Sequence, residues 1–148
     1  MKKNRFELLS HTADLGLIIT AESIEEMLKQ ASNGLLFLLT DPDSVHPTQR
    51  YEFVVVFNSL ENLLVRFLNK LIYTFDADGI LLCRFDIQIV YGNSEEGGGE
   101  GTARVTAFGE AIDHTRHHFK HLVKAATYGG LNITHQNGEY KATVILDD

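Results

Sequence analysis

Two hydrophobic rhythms divide the chain. After a short apolar run, Phe6-Glu7-Leu8-Leu9, and a polar stretch, Leu17 to Ala21 reads as a strand. Ser23-Ile24-Glu25-Glu26 then fits a capping box, with Ser23 at the N-cap and Glu26 three residues on. Ile24, Met27, Leu28, Ala31, Leu35 and Leu38 recur at spacings of three and four, which predicts one buried helix face. Asp41-Pro42-Asp43 ends that helix, and residues 41–50 read as a surface loop. Tyr51 to Phe57, β-branched and aromatic, predicts the next strand. A second helix follows, with Asn58 as its cap, Glu61 in its first turn, and a stripe of Leu60, Leu63, Leu64, Phe67, Leu68, Leu71 and Phe75. Asp76-Ala77-Asp78-Gly79 reads as a polar turn.

The second half follows a strand rhythm. Ile80 to Tyr91 alternates Phe85, Ile87 and Ile89 against Asp86, Gln88 and Val90. Residues 92–101, rich in glycine and glutamate, read as a hairpin tip before a returning strand, Ala103 to Ile112. Leu131 to Thr134 and Tyr140 to Leu146 flank an Asn137-Gly138 turn, the strongest short hairpin signal. The two strand–helix units also resemble each other. A shift of 36 positions matches Ser23 to Ser59, Glu25 to Glu61, Leu28 to Leu64, Asn33 to Asn69 and Leu35 to Leu71. The expected architecture is a single α+β domain over residues 1–148: a compact two-layer unit, two helices packed on a mostly antiparallel sheet of about seven strands, with a possible internal strand–helix repeat.

Composition narrows the chemistry. With 148 residues, 44% of them apolar and 22% charged, the chain can bury a core without staples. Its net charge of −7 and lack of a basic stripe argue against a surface that grips nucleic acid directly. The single cysteine, Cys83, excludes an internal disulfide and reads as a small buried hydrophobe rather than a nucleophile. No signal peptide or membrane-spanning run is apparent, so the expected compartment is the cytoplasm.

Candidate chemistry centres on Ser10-His11-Thr12-Ala13-Asp14-Leu15-Gly16, a polar interruption between apolar runs. It reads either as a corner whose side chains satisfy local backbone groups, or as half of a cation site carried by Asp14. The other half is the end of the sequence, Val144-Ile145-Leu146-Asp147-Asp148, where a strand runs into two carboxylates. The alternative there is a solvated tail. Parallel neighbouring strands would bring Asp14 and Asp147 together, and clustered carboxylates stay ionised beside a hard cation such as calcium, magnesium or manganese. A rival site is the run from His114 to His121. On a helix, His114, His117, His118 and His121 would share a face, although Arg116 and Lys120 oppose a bound cation. Lys124, in a small apolar run, reads as a partner for a carboxylate or another protein, or as an edge-strand lysine that discourages aggregation. No phosphate loop, EF-hand or nucleophile elbow is present.

Taken in order, these segments resemble the archease family along nearly the whole chain. The matching residues are His11-Thr12-Ala13-Asp14-Leu15-Gly16, Ser23-Ile24-Glu25-Glu26, Leu60-Glu61-Asn62-Leu63-Leu64, Gly109-Glu110, Lys124-Ala125-Ala126-Thr127-Tyr128 and Leu146-Asp147. Departures from the family pattern fall at Asn58, Gly129 and Asp148. The resemblance implies a non-enzymatic accessory protein that activates the GTP-dependent tRNA-splicing RNA ligase, promoting its guanylylation and repeated turnover. It implies a divalent ion, often taken as calcium, held by Asp14, Asp147 and Asp148, an important lysine at Lys124, and further functional positions at His11 and Thr127. A chaperone-like role is also suggested for the family. The reading from another class is a metal-dependent phosphoester hydrolase using the same carboxylates, against which no acid or base beyond His11 stands nearby.

Overall fold

The computed structural model describes residues 4–10, 14–92 and 99–148. Among the described residues, seven strands and two α-helices appear in the order β1 (Arg5–Leu8), β2 (Leu15–Ala21), α1 (Ile24–Leu39), β3 (Gln49–Phe57), α2 (Leu60–Asp78), β4 (Ile80–Tyr91), β5 (Gly101–Ala111), β6 (Ala125–Gln136) and β7 (Glu139–Asp147). The expected α+β class holds. The strands divide into two sheets rather than one, β1-β2-β7-β6 and β3-β5-β4. Every pairing within them is antiparallel.

Helix ends follow local chemistry with two corrections. Ser23 caps α1 as expected, its Oγ accepting from the Glu26 N–H at 3.1 Å. The cap of α2 is Ser59, not Asn58: Ser59 Oγ accepts from the Asn62 N–H, and the Asn58 N–H donates to Asn62 Oδ1. The sequence-level match of Ser23 to Ser59 is thus a match of caps, and the same shift of 36 carries the last residue of β2 onto that of β3 and the first residue of α1 onto that of α2. The expected turn at residues 76–79 is mostly helix. The chain continues helical to Asp78, and Gly79 closes α2 at φ +66°, the left-handed cap that glycine adopts without a Cβ penalty. The 41–50 loop contains a short 3₁₀ turn, Pro42–Ser44, and buries Val45.

One apolar core is shared, because the two helices touch each other and each touches both sheets. From β2 and β7 it takes Leu17, Ile19, Val144 and Leu146, and from α2 it takes Leu63, Leu64, Phe67 and Leu68, all at most 2% exposed. Phe67 lies edge-on to Phe85 at 5.7 Å and near Phe53 at 6.4 Å, tying α2 to both edge strands of the three-stranded sheet. The inward face of β5 is small, Ala103, Val105, Ala107 and Gly109, leaving room for the helices.

The ladders are irregular at two places. At Leu82/Arg84 a bulge in β4 pushes backbone against Gly109, where a Cβ would overlap the Leu81 carbonyl. In the β6–β7 hairpin, Thr127 pairs with Ile145 and Asn132 with Thr143, so Tyr128 to Leu131 lie opposite Val144 alone. The hairpin itself turns on Asn137 and Gly138, both at positive φ, as Asn-Gly predicts. The hairpin tip expected at residues 92–101 falls largely outside the described residues.

The glycines give a matched prediction. Gly109→Ala forces backbone against backbone and is expected to cost about 3 kcal/mol. Gly129→Ala, with nothing within 4 Å of its Cβ direction and no positive φ, is expected to stay within about 0.5 kcal/mol. Urea unfolding of the two variants checks the contrast; equal losses would refute the close-approach account.

Candidate functional site

The strand ladder gathers several of the singled-out residues at one sheet end. Leu15 pairs with Leu146, so the next residue on each strand, Asp14 and Asp147, lies beyond that last pair. The arrangement is antiparallel, which corrects the expectation of parallel neighbours: Asp14 precedes β2 rather than merely following β1, and Asp147 ends β7. On the other side of β7, Ala125 pairs with Asp147, and the Lys124 N–H donates to Asp147 O at 2.7 Å. Asp14, Lys124, Asp147 and Asp148 are all exposed there. Gly16 permits this crowding, since a Cβ on it would meet Leu9 Cδ2 at 2.9 Å and Val144 O at 3.0 Å. The chain corner is closed by the Leu9 N–H donating to Gly16 O. His11 lies outside the described residues. Among the described residues, no three of His, Cys, Asp and Glu converge as a metal cage. What the ladder contributes is the placement of two aspartates, Asp14 and Asp147, at one sheet end, and carboxylate oxygens are the donors that calcium, magnesium or manganese prefer.

The segment carrying Lys124 is held from α2 by residues that periodicity alone assigns to no role. Asn69 Oδ1 accepts from the Ala126 N–H at 2.7 Å, and Asn69 Nδ2 donates to Ala126 O at 3.2 Å. Two helical turns earlier, Asn62 Nδ2 donates to the Tyr128 hydroxyl at 2.9 Å. The signal was available: two asparagines seven apart in a helix whose neighbouring positions are leucine and phenylalanine need partners when they face inward. Thr127, expected to be functional, donates its hydroxyl to Ile145 O at 3.1 Å and so also braces β6 on β7. Lys124 just precedes an edge strand with its side chain exposed, so the question of a buried, paired lysine does not arise.

The histidine run is not a helix. Residues 113–124 make a turn and then an extended strap, and the four histidines do not share a face. His114, His118 and His121 are exposed, whereas His117 is 2% exposed and points into a polar cluster. Its Nδ1 accepts from the Asp113 N–H at 2.9 Å, which assigns the ring hydrogen to Nε2, and Nε2 donates to Glu110 Oε2 at 2.9 Å. Arg116 adds a forked pair to Glu110, Nη1 and Nη2 each at 2.8 Å, and Nη1 also donates to Ser44 O. The His46 N–H completes the set on Oε2. Glu110 is only 8% exposed, so these donors are what lets a carboxylate sit there ionised. Arg116 hydrogen bonding, with smaller help from His46 and His117, holds its pKa down at about 2 against the opposing effect of burial. The Gly109-Glu110 pair is therefore structural. Gly109 admits the β4 bulge, and Glu110 ties the 44–46 loop to the root of the strap. Cys83 fits its expectation: it sits half-buried in that bulge, and burial pushes its thiol pKa up, away from thiolate chemistry.

Comparisons with known proteins agree along the whole chain. A family model described as the Archease protein family (MTH1598/TM1083) matches residues 6–147. The chain is 33% identical over 137 residues to the protein named archease from Aeropyrum pernix, spanning 93% of this chain and 92% of that one. It is 30% identical over 143 residues to its namesake in Sulfolobus acidocaldarius, spanning 97% and 98%. Among solved structures, the solution structure of Methanobacterium thermoautotrophicum protein 1598 superposes with a TM-score of 0.78 at 29% identity, over 97% of this chain and 98% of that one. The Thermotoga maritima crystal structure, described as an archease and possible chaperone, gives 0.56 at 22% identity over 96% of each chain, a likeness of fold alone.

Glu110 gives a pH prediction. A carboxyl whose folded pKa is lowered contributes stability in full above its ordinary value of 4.5, and loses it as pH falls through about 2. Glu110→Gln is expected to lower the urea midpoint at pH 7 and to flatten its fall between pH 4.5 and 2, with the two proteins converging near pH 2. Parallel pH profiles for wild type and variant would contradict the assignment.

Proposed function

The chain belongs to the archease family, and on that premise we propose that it is a non-enzymatic, divalent-cation-binding accessory protein that activates the GTP-dependent tRNA-splicing RNA ligase. It would promote ligase guanylylation and multiple turnover. The observation carrying this reading is the convergence of Asp14, Asp147 and the Lys124 segment at one end of the β2-β7-β6 ladder. Asp14, Asp147 and Asp148 would hold the ion through carboxylate oxygens, and calcium, magnesium and manganese all suit such donors. An ion there would supply positive charge for phosphate oxygens during nucleotidyl transfer on the partner. The chain's own contribution is positional. Lys124 is presented by a backbone that Asp147 and, two residues on, Asn69 both grip. An ammonium at that edge can pair with a phosphate or carboxylate on the ligase.

Ligase guanylylation with wild type, Asp14→Ala and Lys124→Ala tests the reading. Both variants are expected to fold normally and to lose activation. Calorimetry should show Asp14→Ala binding calcium at least roughly tenfold more weakly, since loss of even an outer-shell partner costs about 10–100-fold. Undiminished activation by both variants would defeat the proposal. So would phosphoester turnover by the isolated protein, or metal-independent protection of unrelated clients with no effect on the ligase.

A further inference from the structure

The charge of the chain is unevenly spread. All 20 acidic residues lie outside positions 114–138, a stretch that holds Arg116, Lys120, Lys124 and five of the seven histidines. Glu110 engages Arg116, leaving Lys120 and Lys124 as the exposed ammonium groups of the strap that leads into the candidate site. Between them stands Leu122, 65% exposed, with Phe119 at 38% beside it. Leu122 adds little buried area to the fold from that position, and it stands between two ammonium groups on one extended segment.

The strap is fixed at both ends. Phe119 bridges to Thr40 and packs edge-on against Phe75 at 5.4 Å. The Lys120 N–H donates to Leu39 O at 2.9 Å, and Thr40 Oγ1 donates to His118 O at 2.7 Å. Lys120 Nζ rests 4.2 Å from the Phe37 ring centroid. Val123 is buried to 1% and the Lys124 N–H is tied to Asp147 O. Backbone geometry is thus set before any partner arrives, which lowers the ordering cost of binding.

We propose that the Phe119–Lys124 strap is the docking edge for a protein partner, seating Leu122 in an apolar pocket rimmed by carboxylates that face Lys120 and Lys124. The strap's own side chains are basic with no acidic residue among them, so Lys120 and Lys124 select an acidic surface although Asp147 and Asp148 border Lys124. The exposed leucine selects a protein over a phosphate backbone, which offers no such pocket. This inference rests on the ligase reading above for the identity of the partner. It adds a contact that holds the complex together, separate from the carboxylates that act in it.

Fluorescence titration of labelled protein against the purified ligase, and separately against a single-stranded RNA oligonucleotide, tests it. Leu122→Ser and Lys120→Glu are expected to weaken ligase binding about tenfold each, with activation restored at excess protein. The Lys120→Glu loss should shrink as salt rises. Ligase binding by both strap variants equal to wild type would overturn the docking edge and leave the ligase reading standing. Loss of RNA binding without loss of ligase binding would likewise overturn it. Absence of any ligase binding by wild type would bring down both.

Discussion

Everything at the candidate site hangs on the ladder made by β7. It is a central strand, antiparallel to β2 on one side and to β6 on the other, and its last residue is Asp147. Because β2 begins where β7 ends, chain direction alone carries Asp14 to Asp147; because β6 begins there too, Ala125 pairs with Asp147 and the Lys124 N–H reaches its carbonyl. Segments from opposite ends of the chain are thereby joined by hydrogen bonds whose spacing is fixed. A one-residue slip of β7 would both expose Val144 and Leu146 and scatter the charged groups, so core burial and site assembly enforce the same register.

The second layer of control comes from α2. Its hydrophobic face anchors the core while Asn62 and Asn69 reach past it to the backbone and hydroxyl of the Ala126–Tyr128 segment. Amide side chains suit this role because each offers both a donor and an acceptor, and Asn69 uses both on one residue's backbone. The Glu110–Arg116–His117 cluster does the corresponding work at the far end of the strap. Between these two polar anchors the chain needs no regular secondary structure to hold its course.

Much of this was readable beforehand. Helical spacing and strand alternation foretold both helices and β4, β5 and β7, since a periodic pattern records which face is buried, whereas β6 begins at Ala125, six residues before the expected Leu131. What escaped depended on partners distant in sequence. Division into two sheets follows from β5 pairing with both β3 and β4, which no local pattern encodes. The histidine run would share a face only on a helix, whereas His117 is recruited by Glu110 and the Asp113 N–H into a turn. Ser59 displaced Asn58 as cap because Asn62 could answer both residues. For the site, the meeting of Asp14 with the end of β7 was foreseen through the wrong strand direction; the asparagine clamp was hidden inside an apparently apolar stripe.

The uneven pairing in the β6–β7 hairpin has a consequence of its own. With Tyr128 to Leu131 looping out opposite Val144, the stretch of β6 near Lys124 and the stretch near the Asn137-Gly138 turn are separate ladders on one strand. Four residues facing one let the two arms take different twists, while Asn62 holds the near arm through the Tyr128 hydroxyl. The register at Asp147 is thus set by the inner ladder and its asparagine clamp, independently of the register at the turn.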